Sequence, residues 1–221
     1  MSKDNVFNYN RKIRSKKGFE LSFWIPLAKF LTFCRFRKVK FYGIENIPRE
    51  GGFIMAPNHI SGYDPITIGS INVRDIHFMT KHEHYEHWYM RLILPYFNGF
   101  PVNRGGSDKS ALEYAIRVVK EGHILGIFPE GTRTPDYGKP IKGKSGVALI
   151  AREANADVLP VSIYRIPTDK KRCDIVIRFG EMIKNEELGF TEEAKRSELK
   201  FATNLIMERI GELWELKDSV K

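Results

Sequence analysis

Short apolar runs alternate with stretches in which apolar residues recur every three or four positions, the pattern of a sheet flanked by helices. Candidate strands are 53–56, 76–79, 124–128, 158–164 and 175–179. A helix opens at Ser107, carries Leu112, Ala115, Ile116 and Val119 at i, i+3, i+4 and i+7, and ends at Gly122. Val147, Ile150, Ala151 and Ala154 repeat that spacing. A last helix from about Thr191 offers Leu199, Ala202, Ile206, Ile210 and Leu213 as its buried stripe. No repeat or linker divides this body, so one α/β domain is expected, with its functional groups at the carboxyl ends of strands.

The amino-terminal stretch follows a different pattern. Residues 19–36 are rich in Phe, Trp, Leu and Ile but are interrupted by Pro26, Lys29 and Arg35. A spanning helix needs about 20 uninterrupted apolar residues, so this run is expected to lie on a membrane as two short amphipathic helices meeting near Pro26. The competing reading is an ordinary core helix. Residues 1–18 are polar and basic and are expected to be loosely ordered. The division that follows is 1–37, a basic arm with interfacial helices, and 38–221, the body.

Charge sharpens that division. The chain has 221 residues and a formal net charge of +9, yet eleven of its 36 Lys/Arg fall in residues 1–40 against two of its 27 Asp/Glu. The remainder therefore holds 25 of each sign, and the basic character belongs to the arm. Such an arm suits a polyanionic surface, either anionic lipid or nucleic acid. The neutral body lacks a basic stripe and the arm's aromatics suit a lipid anchor, so no nucleic acid is expected. Two cysteines, Cys34 and Cys173, make neither a disulfide framework nor a zinc site and fit a reducing compartment.

Candidate chemistry begins directly after the first body strand, at Asn58-His59-Ile60-Ser61-Gly62-Tyr63-Asp64-Pro65. On a continuous helix His59 and Asp64 would diverge by about 140°. Gly62 tolerates a positive φ, and Asp64-Pro65 resembles an N-cap followed by proline, so a turn here brings both side chains to one pocket. A carboxylate on one imidazole nitrogen fixes the tautomer and leaves the other to take a proton from a hydroxyl. No serine or cysteine in the stretch is placed as a covalent nucleophile, so the hydroxyl belongs to a substrate. The plainer alternative is a helix cap beside a turn histidine. The strand at 124–128 runs into Pro129-Glu130-Gly131-Thr132-Arg133-Thr134, where an arginine offers a forked donor to an anion. The run 99–104 delivers Arg104 in the same way.

Two other patterns lose to their context. Gly138-Lys139-Pro140-Ile141-Lys142-Gly143-Lys144-Ser145 fits a phosphate-binding loop, but it does not leave a buried strand directly. His82, Glu83, Glu86 and His87 sit at helical pair spacing, yet one such helix without thiolates makes a solvated or interfacial face the better reading, and no metal is expected.

In order and separation these blocks resemble the glycerolipid acyltransferases of the bacterial 1-acyl-glycerol-3-phosphate type. Asn58 to Asp64 matches the family's Asn-His-x-Ser-x-x-Asp block, Gly99 to Arg104 its glycine-led second block, and Phe128 to Arg133 its third. Val158-Leu159-Pro160-Val161 matches the fourth, and Lys142-Gly143 stands where the family has a Lys-Gly. The resemblance covers about 38–180. It implies an acyltransferase-like fold with a central, mostly parallel or mixed sheet flanked by helices. It also implies acyl transfer from acyl carrier protein or coenzyme A to the 2-hydroxyl of lysophosphatidic acid, giving phosphatidic acid, with no bound cofactor. Acylation of glycerol 3-phosphate or another lysolipid is the alternative. His59 is implied as general base and Asp64 as its orienting partner. Arg104, Arg133 and Lys81 are implied as phosphate ligands, Gly131 and Thr132 as turn-shaping residues and Glu130 as a brace for the basic groups. The family's long amino-terminal membrane segment is missing, so peripheral attachment to the cytoplasmic face of the cell membrane is expected through the aromatic helices.

Overall fold

The computed structural model describes residues 7–14, 19–71, 73–103, 108–134, 139–166, 168, 171–193 and 195–219. In chain order the regular elements are α1 (Phe19–Arg35), β1 (Lys38–Tyr42), β2 (Phe53–Pro57), α2 (Asp64–Gly69), β3 (Ile76–Lys81) and α3 (Trp88–Ile93). They continue with β4 (Gly99–Val102), α4 (Lys109–Lys120), β5 (Ile124–Gly126), α5 (Gly146–Ala154), β6 (Val158–Ile166), β7 (Asp174–Phe179) and α6 (Arg196–Glu215).

The strands form one seven-stranded sheet in the order β1-β7-β6-β2-β5-β3-β4. The five strands from β6 to β4 run parallel, whereas β6 and β7 are antiparallel and β1 follows the direction of β7. Ile166 pairs with Asp174, and Asp174 with Lys38, so β1 and β7 begin at the edge where the five parallel strands end. That edge collects the loops after β2, β5, β3 and β4.

Residues alternate across the sheet with period two, so β2 supplies both faces. Ile54 and Ala56 join a core with α4, α5 and α6, while Phe53 and Met55 join a second core with Phe36, Ile68 of α2 and Phe128. Gly126 in β5 is required for close approach, since a Cβ there would fall 2.3 Å from the Phe78 ring.

Three expectations change. Pro26 does not divide α1, which continues as one helix because Ala28 and Thr32 are buried beyond the proline and Thr32 Oγ1 reaches Thr67 Oγ1 of α2 at 3.4 Å. Residues 7–14 are not loose. Ile13 is buried in the core of the body, Tyr9 Oη donates to the Pro101 carbonyl at 2.8 Å, and Arg117 donates to the carbonyls of Tyr9 and Arg11. The last helix begins at Arg196, five residues after the expected start.

Candidate active site

β2 and β5 are parallel neighbours, so the loops that leave them emerge side by side at one edge of the sheet. At the exit from β2 the Asn58 backbone N–H donates to the Val161 carbonyl at 3.3 Å. Its carboxamide then continues the pairing with β6, accepting from Ile163 N–H at 2.5 Å and donating to the Ile163 carbonyl at 2.9 Å. The side chain of Asn58 thus extends the sheet while its main chain turns away, which fixes where His59 begins.

His59 is held by both of its backbone groups. Its N–H donates to Glu130 Oε2 at 2.8 Å, and its carbonyl accepts from Thr134 N–H at 2.8 Å and Thr134 Oγ1 at 2.9 Å. The imidazole stacks on Phe128 with centroids 4.0 Å apart, and Phe128 stacks on Phe78. Phe128, Glu130 and Thr134 all belong to the segment that leaves β5, so the base rests on the loop of the neighbouring strand through three contacts.

Asp64 stands 2.8 Å from His59 Nδ1, and the same Oδ2 accepts the N–H groups of Ile60 and Ser61 at 2.8 Å each. An oxygen that accepts from two amides also accepts from the ring, so the imidazole proton belongs on Nδ1 and the lone pair on Nε2. Nε2 has no hydrogen-bond partner among the described residues. Asp64 is only 1% exposed. The carboxylate does not cap α2, whose N-cap is Tyr63 without a side-chain bond; it turns back to hold the loop and the ring. This disposes of the helix-cap alternative. Gly62 does not use a positive φ either. The left-handed residue of the site is Gly131, with φ 67°.

The cations divide into those described near the base and those elsewhere. Arg133 Nη1 lies 3.9 Å from where a Cβ on Gly62 would stand, which places its guanidinium beside the His59 turn. Arg133 is exposed and has no hydrogen bond or ion pair among the described residues. Lys144 was not foreseen. Its Nζ lies 3.0 Å from the position of a Cβ on Gly131, and its backbone N–H donates to the Pro129 carbonyl, so it folds over the β5 loop. Lys81 ends β3 at the same edge but pairs with Glu83 at 2.7 Å, which holds the Glu83 carboxyl below its usual range. Arg104 lies outside the described residues. Thr132 is exposed at the turn.

Glu130 differs from its expected role. It is 1% exposed, and its oxygens accept the N–H groups of His59 and of Ile141, 2.9 Å away, in place of basic side chains. Burial pushes this carboxyl above its ordinary range, while the two amides pull the other way and Asp64 adds repulsion. It ties the β2 loop to the segment before α5. The lysine-rich part of that segment, from 139 to 145, is irregular and does not follow a strand, as a nucleotide-binding loop would. Residues 82–86 form a 3-10 turn, so the helical pairs foreseen there do not form. Among the described residues no group of three or more His, Cys, Asp or Glu could hold a metal ion.

A family model described as Acyltransferase matches residues 38–164. A 1-acyl-sn-glycerol-3-phosphate acyltransferase of Bacillus subtilis (strain 168) is 32% identical over 180 residues, covering 79% of this chain and 87% of the relative. One from Borreliella burgdorferi is 32% identical over 147 residues, 66% of this chain and 55% of its own length, so the chain spans about half of that relative. Among solved structures, the 1-acyl-sn-glycerophosphate (LPA) acyltransferase PlsC of Thermotoga maritima superposes with a TM-score of 0.67. It is 30% identical, over 91% of this chain and 81% of that one.

Proposed function

This chain belongs to the Acyltransferase family and is an acyltransferase, and from that premise we propose that it moves a fatty acyl group from a thioester to the 2-hydroxyl of 1-acyl-glycerol 3-phosphate. The observation that carries the reading is the His59–Asp64 pair, with Nδ1 committed to the carboxylate and Nε2 left for a substrate. The hydroxyl gives its proton to Nε2 as its oxygen attacks the thioester carbonyl. The C–S bond then breaks, and the thiolate recovers the proton from the imidazolium. Asp64 stabilises that imidazolium, and no acyl-enzyme is needed because the thioester is already activated. Glu130 and Thr134 act on the reaction only by fixing the backbone of His59.

The acceptor's phosphate is assigned to Arg133, whose guanidinium stands by the base with no protein anion described against it. Lys144 adds positive charge over Gly131. Holding the phosphate places the hydroxyl within reach of Nε2, so binding here contributes directly to rate. Lys81, at the same edge of the sheet, and Arg104 complete the candidate set. No helix among the described residues is long and apolar enough to cross a membrane. Peripheral attachment to the cytoplasmic face of an anionic membrane is part of the proposal. The exposed Phe23, Phe30 and Phe33 of α1 would insert while the basic residues of the arm meet the headgroups.

The test uses purified protein, a labelled acyl thioester on coenzyme A or on acyl carrier protein, and acceptors with and without phosphate and with and without the first acyl chain. Product is expected only from acceptors that carry phosphate, and most from the one already acylated. Equal turnover of a phosphate-free monoacylglycerol removes the phosphate site from the account, and preference for glycerol 3-phosphate moves the reaction one step earlier in acylation.

A further inference from the structure

A second apolar surface sits on the opposite flank of the catalytic turn from α1. Between β3 and β4 the chain forms a short 3-10 turn, then α3, then a second 3-10 turn. Trp88 and Leu92, at i and i+4 on one face of α3, are 73% and 59% exposed, and Tyr89, Ile93 and Tyr96 are exposed beside them. Five large apolar or aromatic side chains on nine residues of surface amount to a contiguous patch, which a water-facing surface rarely carries without a use.

The patch is presented by a fixed scaffold. Tyr85 is fully buried just before it, with its hydroxyl donating to the Gly99 carbonyl at 2.6 Å, and Arg91 Nε donates to the Tyr85 carbonyl at 2.6 Å. The exposed side chains therefore cannot turn inward without breaking a buried anchor.

Sheet order fixes where this patch lies. It leaves β3 at the edge where the parallel strands end, on the β4 side of β2. The last turn of α1, with exposed Phe33, joins β1 at its start, which register places at the same edge. Phe33 of α1 lies under Arg172 of the β6–β7 turn, with the guanidinium 5.4 Å from the ring centroid. His59 follows β2, between the two flanks, with Tyr63 exposed above it.

We propose that residues 88–96 are a second foothold on an anionic lipid bilayer, and that with α1 they straddle the His59 turn and hold it against the membrane surface. The occupant is assigned from composition and charge. Trp and Tyr with Leu and Ile are the residues that settle at a bilayer interface. Lys81, Arg91, Arg133 and Arg172 put cationic groups around the same edge, where anionic headgroups would neutralise them. The inference rests on the acceptor being a lipid, because a site facing the bilayer takes a lysolipid from the membrane plane without extracting it into water.

The decisive probe is the full chain with Trp24→Phe and Trp214→Phe, so that Trp88 alone reports. Vesicles of phosphatidylglycerol and phosphatidylcholine should shift its emission to the blue, and bromine on the acyl chains should quench it. Separately, Trp88→Glu with Leu92→Glu should lower partitioning onto those vesicles on the order of a hundredfold. The pair should leave turnover of a short-chain, water-soluble lysophosphatidate within about twofold, since neither residue is part of the site. Vesicle-embedded acceptor should suffer with the binding. A Trp88 that stays water-exposed on saturating vesicles overturns the proposal. So does a lipid-independent dimer that the Glu pair splits, which would make the patch an interface between copies. Absence of transfer to any acceptor would sink the functional reading instead, and the quenching measurement stands apart from it.

Discussion

At the scale of single residues, the site depends on which nitrogen of His59 is free. Asp64 Oδ2 accepts from Nδ1 and from two amides, so removing its charge loosens the loop and the ring together. His59→Ala should cost about 10²–10⁴-fold in turnover, the worth of a general base, in a protein that still folds but melts somewhat lower, because the ring's stacking on Phe128 and its bond to Asp64 are lost. Asp64→Asn should cost somewhat less. Near-normal turnover in a folded His59→Ala variant would remove the residue from the mechanism. Arg133 is tested by shape, not charge: Arg133→Lys keeps the cation and loses the fork, so the acceptor's KM should rise and kcat fall while the thioester's KM changes little. A phosphate-free acceptor should lose nothing further in that variant, and an equal loss on both acceptors would make Arg133 a structural brace. His59, Asp64 and Arg133 were legible because their blocks lie contiguous in the chain. Asn58 as a strand extension, Thr134 as a clamp and Lys144 over Gly131 were not, since each acts on a loop that only strand adjacency brings near.

At the scale of elements, Glu130 is the joint between the β2 loop and the segment that enters α5, and its charge is costly there. Because burial raises its carboxyl above the ordinary value of about 4.3, folding favours the protonated form. The sign follows: its contribution to stability is greatest below the ordinary carboxylate value and is lost as pH rises through the raised one. Other carboxyls, such as Asp174 beside Arg37, are shifted down and act in the opposite sense, so the difference between wild type and Glu130→Gln is the quantity to measure. That difference, from urea midpoints, should move against the wild type as pH rises from below the ordinary carboxylate value through the raised one. At all pH values the variant also loses about 1–3 kcal/mol, because its amide turns an N–H toward the N–H of His59 or Ile141. A difference that is flat with pH would show that Glu130 is not the titrating group. Periodicity located the central strands and α4 to α6, whose two-faced burial leaves a strong signal. It missed β1, an edge strand of five residues whose alternation of Lys38 and Lys40 with Val39 and Phe41 is too short to stand out. The other edge strand, β4, was legible only as the extended run before Arg104, and Pro101 is tolerated in it because one side of the ladder is unpaired.

At the scale of the whole molecule, the amino-terminal segment has two physical roles that composition alone merged into one. Charge and polarity made residues 1–18 read as a loose arm, and nothing local in them announces Ile13 as a core residue or Phe7 as the partner of Tyr85, Phe100 and Tyr114. Those contacts cover the outer strand β4, which Tyr9 also reaches through the Pro101 carbonyl, so the segment shields an edge that would otherwise be open to another chain. Removing residues 1–14 should therefore destabilise the body by about 2–5 kcal/mol, the scale of losing one fully buried side chain and its neighbours. At about 2–4 °C per kcal/mol for a chain of this size, the melting temperature should drop by roughly 4–20 °C. The same deletion removes basic residues, so weaker vesicle binding would be ambiguous by itself. Lys12→Gln with Arg14→Gln separates the two roles, because both side chains are exposed while Ile13 between them is buried. At about 1 kcal/mol per charge near an anionic surface, the double variant should bind anionic vesicles roughly tenfold or more weakly at low salt and keep the wild-type melting temperature. Ile13→Ala should do the reverse, melting lower while binding vesicles as before. If the truncated chain melts where the wild type does, residues 7–14 lie on the body without contributing to it, and the edge strand needs no cover.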